Sequence, residues 1–113
     1  MLAGIHNFTC EQGSTFSASI TLKDSAGASM SLVGYTARMQ VRKYDSTATT
    51  YMDLSTANGA LVISANVITI TVPSSATASL AKSGVYDLEI TSSGGIVSKV
   101  LNGEFRLARE VTR

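Results

Sequence analysis

The sequence predicts an all-β sandwich. Apolar residues recur with the period of a strand rather than of a helix, turn signals divide the chain at short intervals, and 113 residues is the usual size of one domain. At this length a single hydrophobic core buries roughly two thirds of the surface that the unfolded chain exposes.

The first candidate strand runs from Ile5 to Cys10, with Ile5 and Phe8 breaking strict alternation, and ends at a Glu11-Gln12-Gly13 turn. Phe16-Ser-Ala-Ser-Ile-Thr-Leu22 then places Phe16, Ala18, Ile20 and Leu22 on one face. Asp24-Ser-Ala-Gly27 carries the small polar residues of a turn, and Met30 to Leu32 leads to a bend at Gly34. From Tyr35 the alternation is strict: Tyr35, Ala37, Met39 and Val41 point one way, Thr36, Arg38, Gln40 and Arg42 the other.

Residues 45 to 58 are small and polar, with Tyr51, Met52 and Leu54 as the large apolar anchors, and predict the longest irregular segment. After the Asn58-Gly59 turn, Ala60 to Ser64 and Val67 to Val72 form a hairpin about Ala65-Asn66. Pro73 closes that strand because it has no backbone donor. Ser74 to Ala81 is the one place for a helical turn, with Ser74 or Ser75 as its cap. Strands follow at Val85 to Thr91, Ile96 to Leu101 and Glu104 to Ala108, separated by turns at Ser92-Ser-Gly-Gly95 and Asn102-Gly103. Seven to nine short strands, with at most one helical turn near 74–81, predict one antiparallel β-sandwich domain over 1–113, immunoglobulin-like in architecture.

Composition narrows function. The charged fraction is 15%, against roughly 25% for soluble domains, so Ser, Thr, Asn and Gly must cover the surface, as suits a protein that packs against neighbours. A net charge of +1 argues against the electrostatic footprint that nucleic acid requires. No segment approaches the roughly 20 apolar residues of a membrane span, and the N-terminal stretch lacks a basic signal-peptide region, which predicts a soluble chain without its own export signal.

Cys10 and His6 are each the only residue of their kind, so neither an intrachain disulfide nor a cysteine or histidine cluster for a metal is available. Cys10 reads as a small buried hydrophobe. No Gly-x-Ser-x-Gly elbow supports a triad built on His6, and Ser93-Gly94-Gly95 lacks the pattern of a phosphate-cradling loop. The sequence therefore predicts no cofactor, no small-molecule substrate and no enzymatic activity.

One segment has the look of a site. Gly34 to Lys43 puts Arg38, Arg42 and Lys43 on one short stretch, and with Tyr44 and Tyr51, which flank the polar segment, they form the candidate interaction surface. Asp87 and Glu89 share a face of a later strand. If that strand lies beside the one carrying Arg38 and Arg42, opposite charges face each other across the pair.

Taken in order, several short stretches carry a resemblance: Glu11-Gln12-Gly13, Leu22-Lys-Asp24, Leu32-x-Gly34-Tyr-Thr-Ala-Arg-Met-Gln-Val-Arg42, Asn58-Gly59, Ile68-Thr-Ile-Thr, Thr77-Ala-x-Leu80, Tyr86-Asp-Leu-Glu-Ile90 and Glu110-Val-Thr-Arg113. The set resembles a family of small tailed-phage and prophage virion proteins, and more distantly the immunoglobulin-like N-terminal domain of phage baseplate upper proteins. It spans nearly the whole chain and rests on order and spacing rather than on one motif. The tryptophan that such proteins often show in the second strand is absent.

The resemblance implies a structural component of a virion, in the tail, baseplate or fibre-attachment region. Its partners would be other virion proteins. The residues themselves add that the exposed edge strands of a low-charge sandwich must be blunted or covered, which predicts homo-oligomerisation or docking on a symmetric ring. A capsid decoration protein and a host-surface glycan-binding module are the alternatives, the latter expecting exposed aromatic rings.

Overall fold

The computed structural model describes residues 4–24, 26–42, 50–80 and 82–109. These contain nine strands and one short helix: β1 Gly4–Ile5, β2 Phe8–Glu11, β3 Phe16–Thr21, β4 Thr36–Arg42, β5 Thr50–Ser55, β6 Leu61–Ser64, β7 Val67–Val72, α1 Ser74–Ala78, β8 Gly84–Thr91 and β9 Val97–Ala108. The fold is the expected β-sandwich of two sheets. One sheet has the order β1-β9-β8-β4-β5 with β2 also on β9, and the other is β3-β7-β6.

Inward-facing residues of both sheets make one core. Met39, Val41, Leu88, Ile90 and Phe105 from the larger sheet meet Leu61, Ile68, Ile70 and Val72 from the smaller. At one end, Phe8, Phe16 and Phe105 pack edge to face or tilted, with centroids 5.6 Å apart for Phe8–Phe16 and 5.3 Å for Phe16–Phe105. Such geometry adds to simple area burial because ring edges and faces carry opposite partial charge.

Several expectations need correction. The first strand is broken into β1 and β2, and both pair with β9 in parallel, so the sandwich is not purely antiparallel. The register is the same on either side of the break, Ile5 opposite Asn102 and Phe8 opposite Phe105. His6 and Asn7 bridge the break: the His6 N–H donates to the Asn102 carbonyl at 2.9 Å, and Asn7 Oδ1 accepts the Glu104 N–H at 2.9 Å. An amide side chain thus takes the place of a backbone acceptor.

Asn102-Gly103 is not a turn. β9 runs through it from Val97 to Ala108, and a Cβ on Gly103 would lie 2.1 Å from the His6 carbonyl oxygen, so glycine is there to let two backbones approach. The segment 45–58 is not irregular throughout, because residues 50 to 55 form β5, with Met52 and Leu54 in the core and 45–49 outside the described residues. Alternation there is short, Met52 and Leu54 in and Asp53 out, and the large Tyr51 falls on the outward phase, which concealed the strand.

The helix spans Ser74–Ala78 only, and Pro73 is its N-cap, without a side-chain cap. The Pro73 carbonyl accepts the N–H groups of Ala76 and Thr77, so no serine cap forms. Thr77 is the buried residue of the helix. Its hydroxyl accepts the Gly13 N–H at 3.1 Å and lies 2.7 Å from the Ser14 carbonyl, pinning the β2–β3 turn to the helix. Gln12 adds a second tie, donating its amide to the Leu80 carbonyl at 2.8 Å.

The hairpin of β6 and β7 forms as expected, closed by Ala65 and Asn66. Asn58 Oδ1 accepts the N–H groups of Ser55 and Ala60, which shapes the turn at Asn58-Gly59.

Candidate functional site

β4 is central in the larger sheet, flanked by β5 and β8, and its alternation buries Ala37, Met39 and Val41 while turning Arg38, Gln40 and Arg42 outward. β8 does the same with Asp87 and Glu89, and the two strands are neighbours, as the charge pattern suggested. Arg38 lies directly opposite Glu89, and Gln40 opposite Asp87.

The ion pairs nevertheless form elsewhere. Arg38 donates through Nε and Nη2 to both carboxylate oxygens of Asp53 on β5, at 3.4 and 3.2 Å. Asp53 is the diagonal neighbour of Arg38, since Ser55 is its direct partner on β5, and a diagonal position is within reach of a long side chain. Gln40 also donates to Asp53, at 3.2 Å, and its own carbonyl accepts Arg42 through Nε and Nη2 at 3.2 and 2.8 Å. Asp87 pairs instead with Lys99 on β9, at 3.3 Å.

This outer face is a relay in which Arg42 donates to Gln40, and Gln40 and Arg38 donate to Asp53. The Arg38 hydrogen bond holds the Asp53 carboxyl below its ordinary pKa, opposed by partial desolvation and aided by Gln40. Reciprocally, the hydrogen bond to Asp53 raises the Arg38 guanidinium, with the facing Glu89 a smaller contributor. Arg38 and Asp53 are well exposed, so the pair is solvent-screened and adds little to stability.

Beside the relay a shallow groove of about 200 Å³ is lined by Gln40, Arg42, Val85, Tyr86, Asp87 and Glu89. It is open and lined mostly by polar side chains, with Arg42 bonded to Gln40 and Asp87 to Lys99, unlike the enclosed apolar pocket of a small-molecule site. Among the described residues no group of His, Cys, Asp and Glu converges on a metal position, and no helix is long and apolar enough to cross a membrane.

Of the sequence-predicted surface, Arg38 and Arg42 share this face, while Lys43 and Tyr44 lie outside the described residues. Tyr51 belongs to β5 and is half-buried against the margin of the core, where its ring lies 3.2 Å from the place a Cβ on Gly84 would occupy. It does not offer a free aromatic face. Among the described residues no Phe or Tyr is exposed.

Cys10 is fully buried, and burial first, then the neighbouring Glu11 charge, push its thiol pKa up. A thiol in that setting is a poor nucleophile. Tyr86 is also buried. Its hydroxyl donates to the His6 carbonyl at 2.6 Å, and desolvation pushes the phenol up to about 12.

Sequence reasoning did not find the apolar end of the molecule. Val33 is 85% exposed, Ile96 70% and Val97 57%. Val33 precedes Gly34, whose Cβ position lies 3.4 Å from Ser93 in the β8–β9 turn, so the Val33 loop and the Ile96-Val97 turn share one end of the larger sheet. β-branched residues at the mouths of two turns, where polar residues are usual, were the available signal. No protein-family model matches the chain, and comparison with curated proteins finds no match.

Proposed function

We propose that the protein is a non-enzymatic structural component of a phage particle, in the tail, baseplate or fibre-attachment region, working through protein–protein contacts. The observation that carries the contact role is the exposed end formed by Val33, Ile96 and Val97. Three exposed β-branched residues beside the starts of β4 and β9, on a chain with few charges, suit an association surface.

The order and spacing of the stretches that resemble small virion proteins supply the particle. The polar relay on the outer face pairs its own donors and acceptors and suits a solvent-facing surface better than a ligand site. The glycan-binding alternative has no exposed Phe or Tyr among the described residues to serve as a stacking platform.

The experiment is to purify particles from a host carrying the encoding genome and to locate the protein by quantitative mass spectrometry and immunogold labelling. Labelling at the tail end, with a copy number in integral ratio to a ring-forming tail protein, supports the proposal. Labelling over the shell would replace it with the decoration role, and absence from purified particles would refute both.

A further inference from the structure

Both sheets end in edge strands, and these edges are protected to different degrees. β5 carries Asp53 and lies beside a register shift at Val41/Arg42, β6 has only four residues, and β1 and β2 are separated by His6 and Asn7. β3 has none of these devices. It pairs with β7 through all six residues without a register shift and contains no charge, proline or glycine. An edge of that kind is a template for another strand.

The hydrogen-bond phase shows which groups it offers. Leu22 donates its N–H to the Asn66 carbonyl at 2.8 Å, and in an antiparallel ladder such bonded pairs alternate, so Ile20, Ala18 and Phe16 are the residues that bond β7. The N–H and C=O groups of Ser17, Ser19 and Thr21 therefore point away from β7. Among the described residues no strand receives them. Their side chains are exposed, and behind them Ala18 and Ile20 are only half-buried although they are on the core-facing side. A groove of about 310 Å³, lined by Thr9, Glu11, Ser14, Thr15, Phe16 and Ser17, opens beside the start of this edge.

We propose that β3 docks against β3 of a second copy, antiparallel about a two-fold axis at Ser19, joining two three-stranded sheets into one of six. This is the register that uses all the outward groups: Ser19 meets Ser19 of the second copy, and Ser17 meets Thr21. A two-fold axis at Ala18 or Ile20 would leave Thr21 or Ser17 without a partner. The same register sets Ala18 opposite Ile20 on the inner face, so a small and a large half-exposed residue cover each other on both sides of the axis. On the outer face hydroxyls face hydroxyls and no like charges meet. This self-complementarity selects a second copy over a charged partner segment, and it gives a closed, isologous contact.

The inference needs only the β3 edge and does not depend on where the protein resides. Its test is light scattering coupled to size exclusion on the isolated full chain, over a concentration series. Wild type is expected to show a dimer mass at the upper concentrations. Ser19→Pro removes an N–H that β7 does not use, at a strand position where proline is tolerated, and should weaken association by about tenfold or more. Ser19→Lys and Ser19→Glu should each be monomeric alone, because like charges meet at the axis, and should form a dimer when mixed.

The charge variants decide the matter if Ser19→Pro fails to fold, as a thermal melt would show. A wild type that stays monomeric throughout, or a dimer indifferent to the charge variants, overturns the proposal. Either result leaves the particle assignment to its own experiment.

Discussion

Gly103→Ala should be among the most destabilising single-methyl additions in this chain. Gly103 lies in β9 opposite Tyr86, at the place where the break between β1 and β2 brings the His6 carbonyl inward. A Cβ there would lie 2.1 Å from that oxygen, 2.8 Å from its carbon and 2.9 Å from Asn7 Oδ1, whereas real Cβ contacts essentially never fall below 3.0 Å. Two of the obstructing atoms are backbone, so the N-terminal segment must move away from β9.

Moving it loosens three hydrogen bonds together: Tyr86 hydroxyl to His6 carbonyl, His6 N–H to Asn102, and Glu104 N–H to Asn7. Overpacking costs about 1–3 kcal/mol, and a buried hydroxyl that loses its acceptor adds about 1 kcal/mol. The expected loss is about 2–4 kcal/mol, or roughly 8–17 °C in Tm for a chain of this size. Urea unfolding followed by far-UV circular dichroism measures it, which suits a chain without tryptophan.

Tyr86→Phe should cost about 1 kcal/mol alone. Because both changes act on the His6 carbonyl, Gly103→Ala should cost less in the Tyr86→Phe background, with a coupling on the order of 1 kcal/mol. A Gly103→Ala protein within about 0.5 kcal/mol of wild type, or strict additivity of the two changes, would show that the junction is not held in this way.

Thr77→Val keeps the shape of the buried side chain but strips the Gly13 N–H of its acceptor and the Ser14 carbonyl of its donor, and should lower stability by about 1–3 kcal/mol in the same urea assay. The Tyr86 phenol is raised in the folded state to about 12 from an ordinary 10.0, so its contribution is fully present below pH 10 and is lost as pH rises through the folded value. Urea midpoints from pH 9 to 12 should therefore fall more steeply for wild type than for Tyr86→Phe, with parallel curves counting against the assignment. Ala65 has φ of 54° in the β6–β7 turn, a conformation that glycine adopts without penalty, and Ala65→Gly should raise stability by about 0.5–1 kcal/mol despite the added chain entropy. The Cys10 thiol should be silent to a thiol-specific chromogenic reagent in the native protein and react once the chain is unfolded; rapid native reaction would contradict its burial.

The strands that were legible are those whose burial is set by two-residue periodicity. β4, β7 and β8 have one dry face, and each shows it in unbroken alternation. The strand missed was β5, where Asp53 faces out between Met52 and Leu54 but the neighbouring Tyr51 is out of phase with them and the preceding residues are small and polar. The error at Asn102-Gly103 has a different source. That dipeptide is a strong local turn signal, but its glycine is there to admit the His6 carbonyl from a segment nearly a hundred residues earlier in the chain, a demand that local sequence does not show.

The candidate site divides in the same way. That Arg38, Arg42, Asp87 and Glu89 face outward on neighbouring strands was readable from spacing and sign of charge. That Arg38 takes Asp53 was not, because β4 is flanked on both sides and the choice among direct and diagonal neighbours depends on the register of both ladders.

Sequence alone determined the sandwich, the dry faces and the β6–β7 hairpin, since these follow from periodicity and turn chemistry within a few residues. Tertiary structure decided the parallel seating of β1 and β2 on β9, the Arg38–Asp53 relay, the exposed apolar end and the open edge at β3. Each of those depends on which distant segment supplies the opposite backbone, and pairing between distant segments is set by packing of the whole chain rather than by any window of it.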